Sequence, residues 1–260
     1  MQARSSYRLH PESIALSARG LTKSFARGLA RAARRTVAID NVDIDLRPGE
    51  LVGLAGCEGS GKTALLQCLC GLLRRDSGII ELAGETFEGG GCPPQISYVP
   101  AVPLFYPFLT VRDVLQFRAA RDVSSSRRDE AVEGALSALD LNAESACRIS
   151  VLPHELLKRL AIAEALIGDP SVILVDTAVA ETGLLLESRT LNALHARALG
   201  GAAVLIAVRD ACSVAVAVSR LVFIDQGRIS RAFSFDQQAP FAEDSGLQSV
   251  PSRFVAERVH

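Results

Sequence analysis

The chain has 260 residues, 48% of them apolar and 22% charged, with a net charge of -1 at neutral pH. That balance suits a globular protein with a large core and argues against a chain whose main work is neutralising nucleic-acid phosphates, so no nucleic-acid partner is expected. No apolar run reaches bilayer-spanning length, since even GGAAVLIAVRDACSVAVAVSRLVFID is cut by Arg209, Asp210 and Arg220.

The first residues, MQARSSYRLHPES, lack the apolar centre of a secretory signal, which predicts a cytoplasmic chain with only peripheral membrane contact. Strands are predicted at residues 13–18 and 36–46, the second with alternating Val37, Ile39, Val42, Ile44 and Leu46. Between them RGLARAARR, residues 27–35, carries four arginines. It reads either as a patch for anionic lipid or a partner, or as a solvated arm.

After the turn RPGE comes the apolar strand LVGLAG, then GCEGSGKT at residues 56–63, then KTALLQCLCGLL with helical apolar spacing. Strand, glycine loop and helix together are the required setting of a phosphate cradle. The glycines of the loop let backbone approach an anion closely, and the cradle comprises Gly56, Cys57, Glu58, Gly59, Ser60, Gly61, Lys62 and Thr63. Lys62 would add a point charge at the β- and γ-phosphates of a bound nucleotide, and Thr63 a ligand for Mg2+.

Further strands follow at GIIELAG, QISYV, SVILVD and AVLIAV, with a last pair, RLVFID and GRISRAF, joined at QG. Between QISYV and SVILVD the spacing turns helical in VRDVLQFRAAR, RRDEAVEGALSALDL and PHELLKRLAIAEALIG. The fold class is therefore α/β, with a mainly parallel core sheet, an N-terminal antiparallel part and a helical insert over about residues 104–169. Residues 1–233 read as one domain, and 234–260 as a polar, loosely ordered tail. The six cysteines, at 57, 68, 70, 92, 147 and 212, form no C-x-x-C pair. They are expected to be reduced and mostly buried, Cys57 being the exception because its amide-rich loop could activate it.

This order of motifs resembles the nucleotide-binding subunit of an ATP-binding-cassette (ABC) transporter, a P-loop NTPase, over nearly all of residues 13–233. LTKSFA resembles the adenine-stacking loop, ISYVPAVPLFYPFLTVRDVL the segment facing the membrane subunits, and LPHELLKRLAIAEALIGDPSVILVD the signature helix leading into Walker B. The resemblance implies that Phe25 stacks on adenine, although a packed strand-end phenylalanine remains the alternative. It also implies that Asp176, at the end of the apolar run VILV, holds Mg2+ through its shell, a plain turn aspartate being the other reading. Transmembrane permease subunits and a second cassette are the implied partners, on the inner face of the cell membrane.

The departures from the family pattern decide the chemistry. Thr177 stands where the family has the glutamate that polarises the attacking water, Arg209 where it has the switch histidine, and Ala101 where it has a glutamine. A hydroxyl cannot serve as the base near neutrality, and arginine can only donate. The signature serine and glycines are replaced in LPHEL, residues 152–156, where Pro153 removes an N–H, His154 adds bulk and Glu155 brings negative charge. As a helix start the same residues read well, with Pro153 at the first helical position and Glu155 in the first turn. AETGLL also lacks the aspartate of the family's dimer-contact loop.

Losing a general base costs about 10²–10⁴ in rate, and losing one preorganised donor about 10²–10³. From a typical turnover near ~10 s⁻¹, at most about 10⁻³ s⁻¹ remains, so the loop is expected to hold ATP and hardly cut it. Three readings stay open: a degenerate cassette of a transport complex, paired as a hetero-oligomer; a non-transport pseudo-ATPase scaffold or nucleotide sensor; and a working ATPase that uses Glu181 as base.

Overall fold

A computed structural model describes residues 14–27, 34–177, 188–215, 217–235 and 255–257. Among these, two sheets sandwich one helix. The smaller sheet is antiparallel and is built from β1 (Leu16–Arg27), β2 (Arg34–Leu46), β4 (Ser77–Leu82) and β5 (Glu85–Thr86) in the order β2-β1-β4-β5. The larger runs β11-β10-β9-β3-β8-β7-β6. It contains β3 (Leu51–Ala55), β6 (Ile96–Val99), β7 (Val172–Asp176), β8 (Ala203–Val208), β9 (Arg220–Asp225), β10 (Arg228–Ser234) and β11 (Val255–Glu257). Its five strands from β9 to β6 are parallel, and β10 and β11 are added antiparallel.

The parallel strands are apolar on both faces because both faces are covered. Alternation divides the core: Val52, Leu54, Val172, Leu174, Leu205 and Ala207 face one cluster, while Leu51, Ile173, Val175, Val204 and Ile206 face the other. The first cluster is closed by α1 (Lys62–Leu69) and the antiparallel sheet. The second is closed by α2 (Val111–Asp122), α3 (Arg128–Ala138), α4 (His154–Leu166) and α5 (Ser188–Leu199). Helices α2, α3 and α4 all fall between β6 and β7 in sequence.

Several details differ from the sequence reading. Helix α5 had no counterpart in it, although Leu191, Leu194 and Ala198 are buried at helical spacing. Pro153 is the N-cap of α4 and not its first helical residue, with ψ 150 placing it outside the helix. Val255–Glu257, within the stretch read as a tail, pairs with β10, whose outer main-chain groups would otherwise face no strand. The cysteines are mostly exposed, with Cys68 and Cys70 buried but Cys57, Cys92, Cys147 and Cys212 on the surface, because the latter four sit in loops and turns. Residues 28–33 of the arginine-rich segment, Glu181 and AETGLL lie outside the described residues.

A nucleotide-binding edge with a buttressed phosphate loop

The parallel register brings the ends of four strands to one edge of the sheet. Ala55 pairs with Val208, and Asp176 with Ala207, so the loop after β3, Asp176 at the end of β7 and Arg209 after β8 share one level. Ala101 follows β6 at the same edge, half-buried. The carboxyl edge of parallel strands is where α/β proteins bind ligands.

The loop itself is held from behind. Gly61 has φ 106, and a Cβ there would lie 2.2 Å from Ala38 O of β2, so only glycine fits this close approach. The Gly227 amide donates to Ser60 O at 2.9 Å, and Gly227 O accepts from Asp40 N at 2.9 Å. Gln226 and Gly227, both at positive φ, form the tight turn of the β9–β10 hairpin, and the tip of that turn fastens the loop to β2. The sequence reading found this turn but not its second task, which depends on contacts across more than a hundred residues.

Lys62 is 3% exposed, and its Nζ donates to Gly56 O at 2.6 Å, Cys57 O at 2.7 Å and Ser60 Oγ at 3.3 Å. Burial lowers the Lys62 pKa from its ordinary value, and the Asp176 carboxylate opposes that shift. Asp176 is 2% exposed at the strand end. The Tyr98 phenol of β6 lies beside Asp176 and Gln67 of α1, and its pKa is pushed up to about 12, chiefly by burial and then by Asp176. Tyr98 is a wall residue that sequence reasoning missed; its place beside YVP at the end of a predicted strand was the available signal.

These features fit Mg-ATP. At Gly56 and Gly61 the loop leaves no room for a Cβ, and Lys62 is a buried ammonium whose loop carbonyls phosphate oxygens would displace. Among the described residues no cluster of three His, Cys, Asp or Glu could hold a metal by itself. A hydroxyl, one carboxylate and phosphate oxygens make up the sparse set that magnesium accepts, and Thr63 in the first turn of α1 with Asp176 could supply the protein part.

The substituted positions are also visible. Thr177 N and Oγ1 both donate to Ala207 O, at 3.1 and 2.6 Å. Arg209 reaches Glu58 of the loop at 3.8 Å, a pair exposed on both sides and so energetically weak. At the start of α4, Pro153 offers no side-chain cap, and Glu155 pairs with Arg159 at 3.5 Å. Phe25 is 41% exposed, opposite Thr36 on β2, with Lys23 Nζ 5.6 Å from its ring centroid. Asp76 fixes this strand end, accepting from Ser24 N at 2.8 Å, Ser24 Oγ at 2.7 Å and Lys23 Nζ at 2.9 Å.

Fold and loop together define a phosphate-loop nucleotide-binding cassette. The family description for ABC transporters matches residues 39–180. A spermidine/putrescine import ATP-binding protein of Nitratidesulfovibrio vulgaris is 28% identical over 248 residues, which cover 92% of this chain and 62% of that protein. A hemin import ATP-binding protein of Nocardia farcinica is 30% identical over 224 residues, covering 84% of this chain and 76% of the relative. Among solved structures, a dimeric post-hydrolysis ATP-binding cassette bound to ADP and Pi superposes with a TM-score of 0.73 at 19% identity, over 84% of this chain and 98% of that one. An ATP-binding subunit of an ABC transporter superposes with a TM-score of 0.72 at 20% identity, over 85% and 90%. The chain belongs to the ABC transporter family and is an ATP-binding cassette of it.

Proposed function

We propose that this cassette holds Mg-ATP as the nucleotide-binding subunit of a transport complex and hydrolyses it slowly at most. The cassette spans residues 1–233. Gly56–Thr63 wraps the phosphates, Lys62 bridges them, Thr63 and Asp176 hold magnesium, and Phe25 stacks on adenine. Bound magnesium would neutralise charge on the phosphate oxygens. The observation that carries the slow turnover is Thr177, whose hydroxyl is already donated to Ala207 O at 2.6 Å. A group with neither basicity nor a free orientation cannot take a proton from water. Ala101 and Arg209 supply no substitute base.

Docking under permease subunits rests on surface chemistry. Leu104, Tyr106, Phe108 and Phe117 are 89%, 69%, 69% and 75% exposed. Tyr106 and Phe108 stack at 5.5 Å, and Ser150 N donates to Pro107 O at 3.1 Å, which brings Val151, 72% exposed, to the same face. A set of large exposed apolar side chains of this kind marks a partner site. It supports a seat at the cytoplasmic face of a membrane.

Pairing is with a different cassette. Pro153, His154 and Glu155 present an amide-poor, acidic clamp, which is unfavourable against the nucleotide of an identical copy. A regulatory, non-transport role is the second reading, favoured by the same clamp because it weakens both composite sites of any pair. Light scattering of the isolated chain should show a monomer with and without Mg-ATP, and affinity purification from its host should recover a polytopic membrane protein. A stable ATP-dependent homodimer at micromolar concentration would refute the hetero-oligomer, and recovery without any membrane subunit would favour the regulatory reading.

A further inference from the structure

Behind the phosphate loop, the glycine-rich segment after β5 folds back onto the end of α1. Gly71 O accepts from the amides of Gly90 and Gly91, both at 3.3 Å, and a Cβ on Gly71 would lie 2.8 Å from Gly91 O. Residues 70–71 and 91–92 therefore run against each other, and a cysteine stands on each side of the contact. Cys70 caps α1 and is fully buried, with Sγ 3.4 Å from Gln67 O. Cys92 is exposed, with Sγ 3.3 Å from Ile96 O. The two thiols lie close enough for each to shift the other's titration.

The environments of the two sulfurs differ. The neighbouring Cys70 thiol lowers the Cys92 pKa from its ordinary value, burial opposes that, and the guanidiniums of Arg118 and Arg121 on α2 add to the lowering. Arg118 is held for this by Ser97 Oγ at 2.8 Å and by Asp122 at 2.7 Å. The Cys70 pKa is raised, first by the neighbouring Cys92 thiol and then by burial. One sulfur is thus accessible and close to cations, and the other is enclosed and keeps its proton, the division of labour of an attacking and a resolving cysteine.

We propose that Cys70 and Cys92 are a dithiol modification site, oxidised by hydrogen peroxide to an intramolecular disulfide with Cys92 as the attacking sulfur. The Cys92 sulfur attacks one peroxide oxygen, the O–O bond breaks, and the departing hydroxide leaves as water after taking a proton. The resulting sulfenic acid is attacked by the Cys70 sulfur, the S–O bond breaks, and a second water leaves as the S–S bond forms. Two electrons pass from the thiol pair to the peroxide. The bridge fastens the end of the phosphate-loop helix to the segment that enters β6, one turn from Gln67 and its partner Tyr98.

The full chain is exposed to hydrogen peroxide, alkylated in denaturant and mapped without reduction by mass spectrometry. The expected product joins the Cys70 and Cys92 peptides, is two hydrogens lighter than their sum, and is reversed by dithiothreitol. In Cys70→Ser, which keeps a polar group beside Cys92 but cannot resolve it, a dimedone adduct should accumulate on Cys92 at least about tenfold faster than on Cys57, Cys147 or Cys212, which share its exposure but lack its partners. Cys92→Ser should leave Cys70 unmodified over the same time. The proposal is overturned if wild-type Cys70 and Cys92 stay unlinked while the other thiols oxidise, or if Cys92 reacts no faster than those three.

Discussion

Replacing Lys62 by methionine should separate nucleotide affinity from stability. Methionine keeps an unbranched stem of similar bulk and removes only the charge and its donors. Those donors serve Gly56 O at 2.6 Å, Cys57 O at 2.7 Å and Ser60 Oγ at 3.3 Å. Leaving a buried acceptor without its donor costs about 1–3 kcal/mol. Against this, the variant no longer buries an ammonium that is 3% exposed, a penalty of order several kcal/mol that the lowered Lys62 pKa already registers. The two effects oppose, and the net change in stability should stay within about 1–2 kcal/mol, a shift of roughly 2–8 °C in unfolding midpoint. Affinity has no such compensation. Loss of a charge-assisted phosphate contact costs about 1.5–3 kcal/mol, which is roughly 10–160-fold in Kd. Calorimetric titration with Mg-ATP, run beside thermal unfolding of both proteins, reads the two quantities separately. Equal affinity in the two proteins would refute the cradle, and collapse of the fold in the variant would show that Lys62 serves mainly as an internal cross-link.

Gly61→Ala forces a Cβ to 2.2 Å from Ala38 O at φ 106, whereas Gly59→Ala, at φ 75, meets nothing within 4 Å. Denaturant unfolding should therefore show a loss of about 2–4 kcal/mol for the first and about 1 kcal/mol for the second, with equal losses contradicting the buttress. Thr177→Glu removes the donor to Ala207 O and restores a carboxylate, yet phosphate release should remain near background because Ala101, Arg209 and the LPHEL clamp are unchanged; turnover near ~1 s⁻¹ would contradict this. Burial pushes the Cys68 thiol up to about 11 from 9.0, so the folded chain keeps a proton that the unfolded chain releases. That stabilisation is whole below pH 9.0 and is lost as pH rises through about 11, and Cys68→Ala should flatten the alkaline fall in unfolding free energy by about 2–3 kcal/mol relative to wild type.

The parts of this fold legible in the sequence are those where one local pattern admits one answer. Continuous apolar runs at VILVD and AVLIAV give buried parallel strands, and GCEGSGKT falls between a strand and a helix as its pattern requires. Helix α5 escaped notice because SRTLNALHARAL shows only a narrow apolar stripe among polar residues, although its buried positions follow helical spacing. Pro153 misled by one position, since proline suits both the N-cap and the first turn, and only ψ distinguishes them. The cysteines misled through a composition rule that ignores turns. Ala38, Gly227, Tyr98 and Asp76 act on the site through contacts between distant segments, and no local window could have revealed them.

The central claim is that this cassette holds ATP far longer than it takes a working one to cut it. The direct test is to mix the purified chain with Mg-ATP and follow, in one sample, the nucleotide bound per chain and the inorganic phosphate released. The account predicts saturable binding that approaches one ATP per chain, with phosphate release at or below about 10⁻³ s⁻¹. Release near the ~10 s⁻¹ of an ordinary enzyme, or no binding at millimolar ATP, would contradict it.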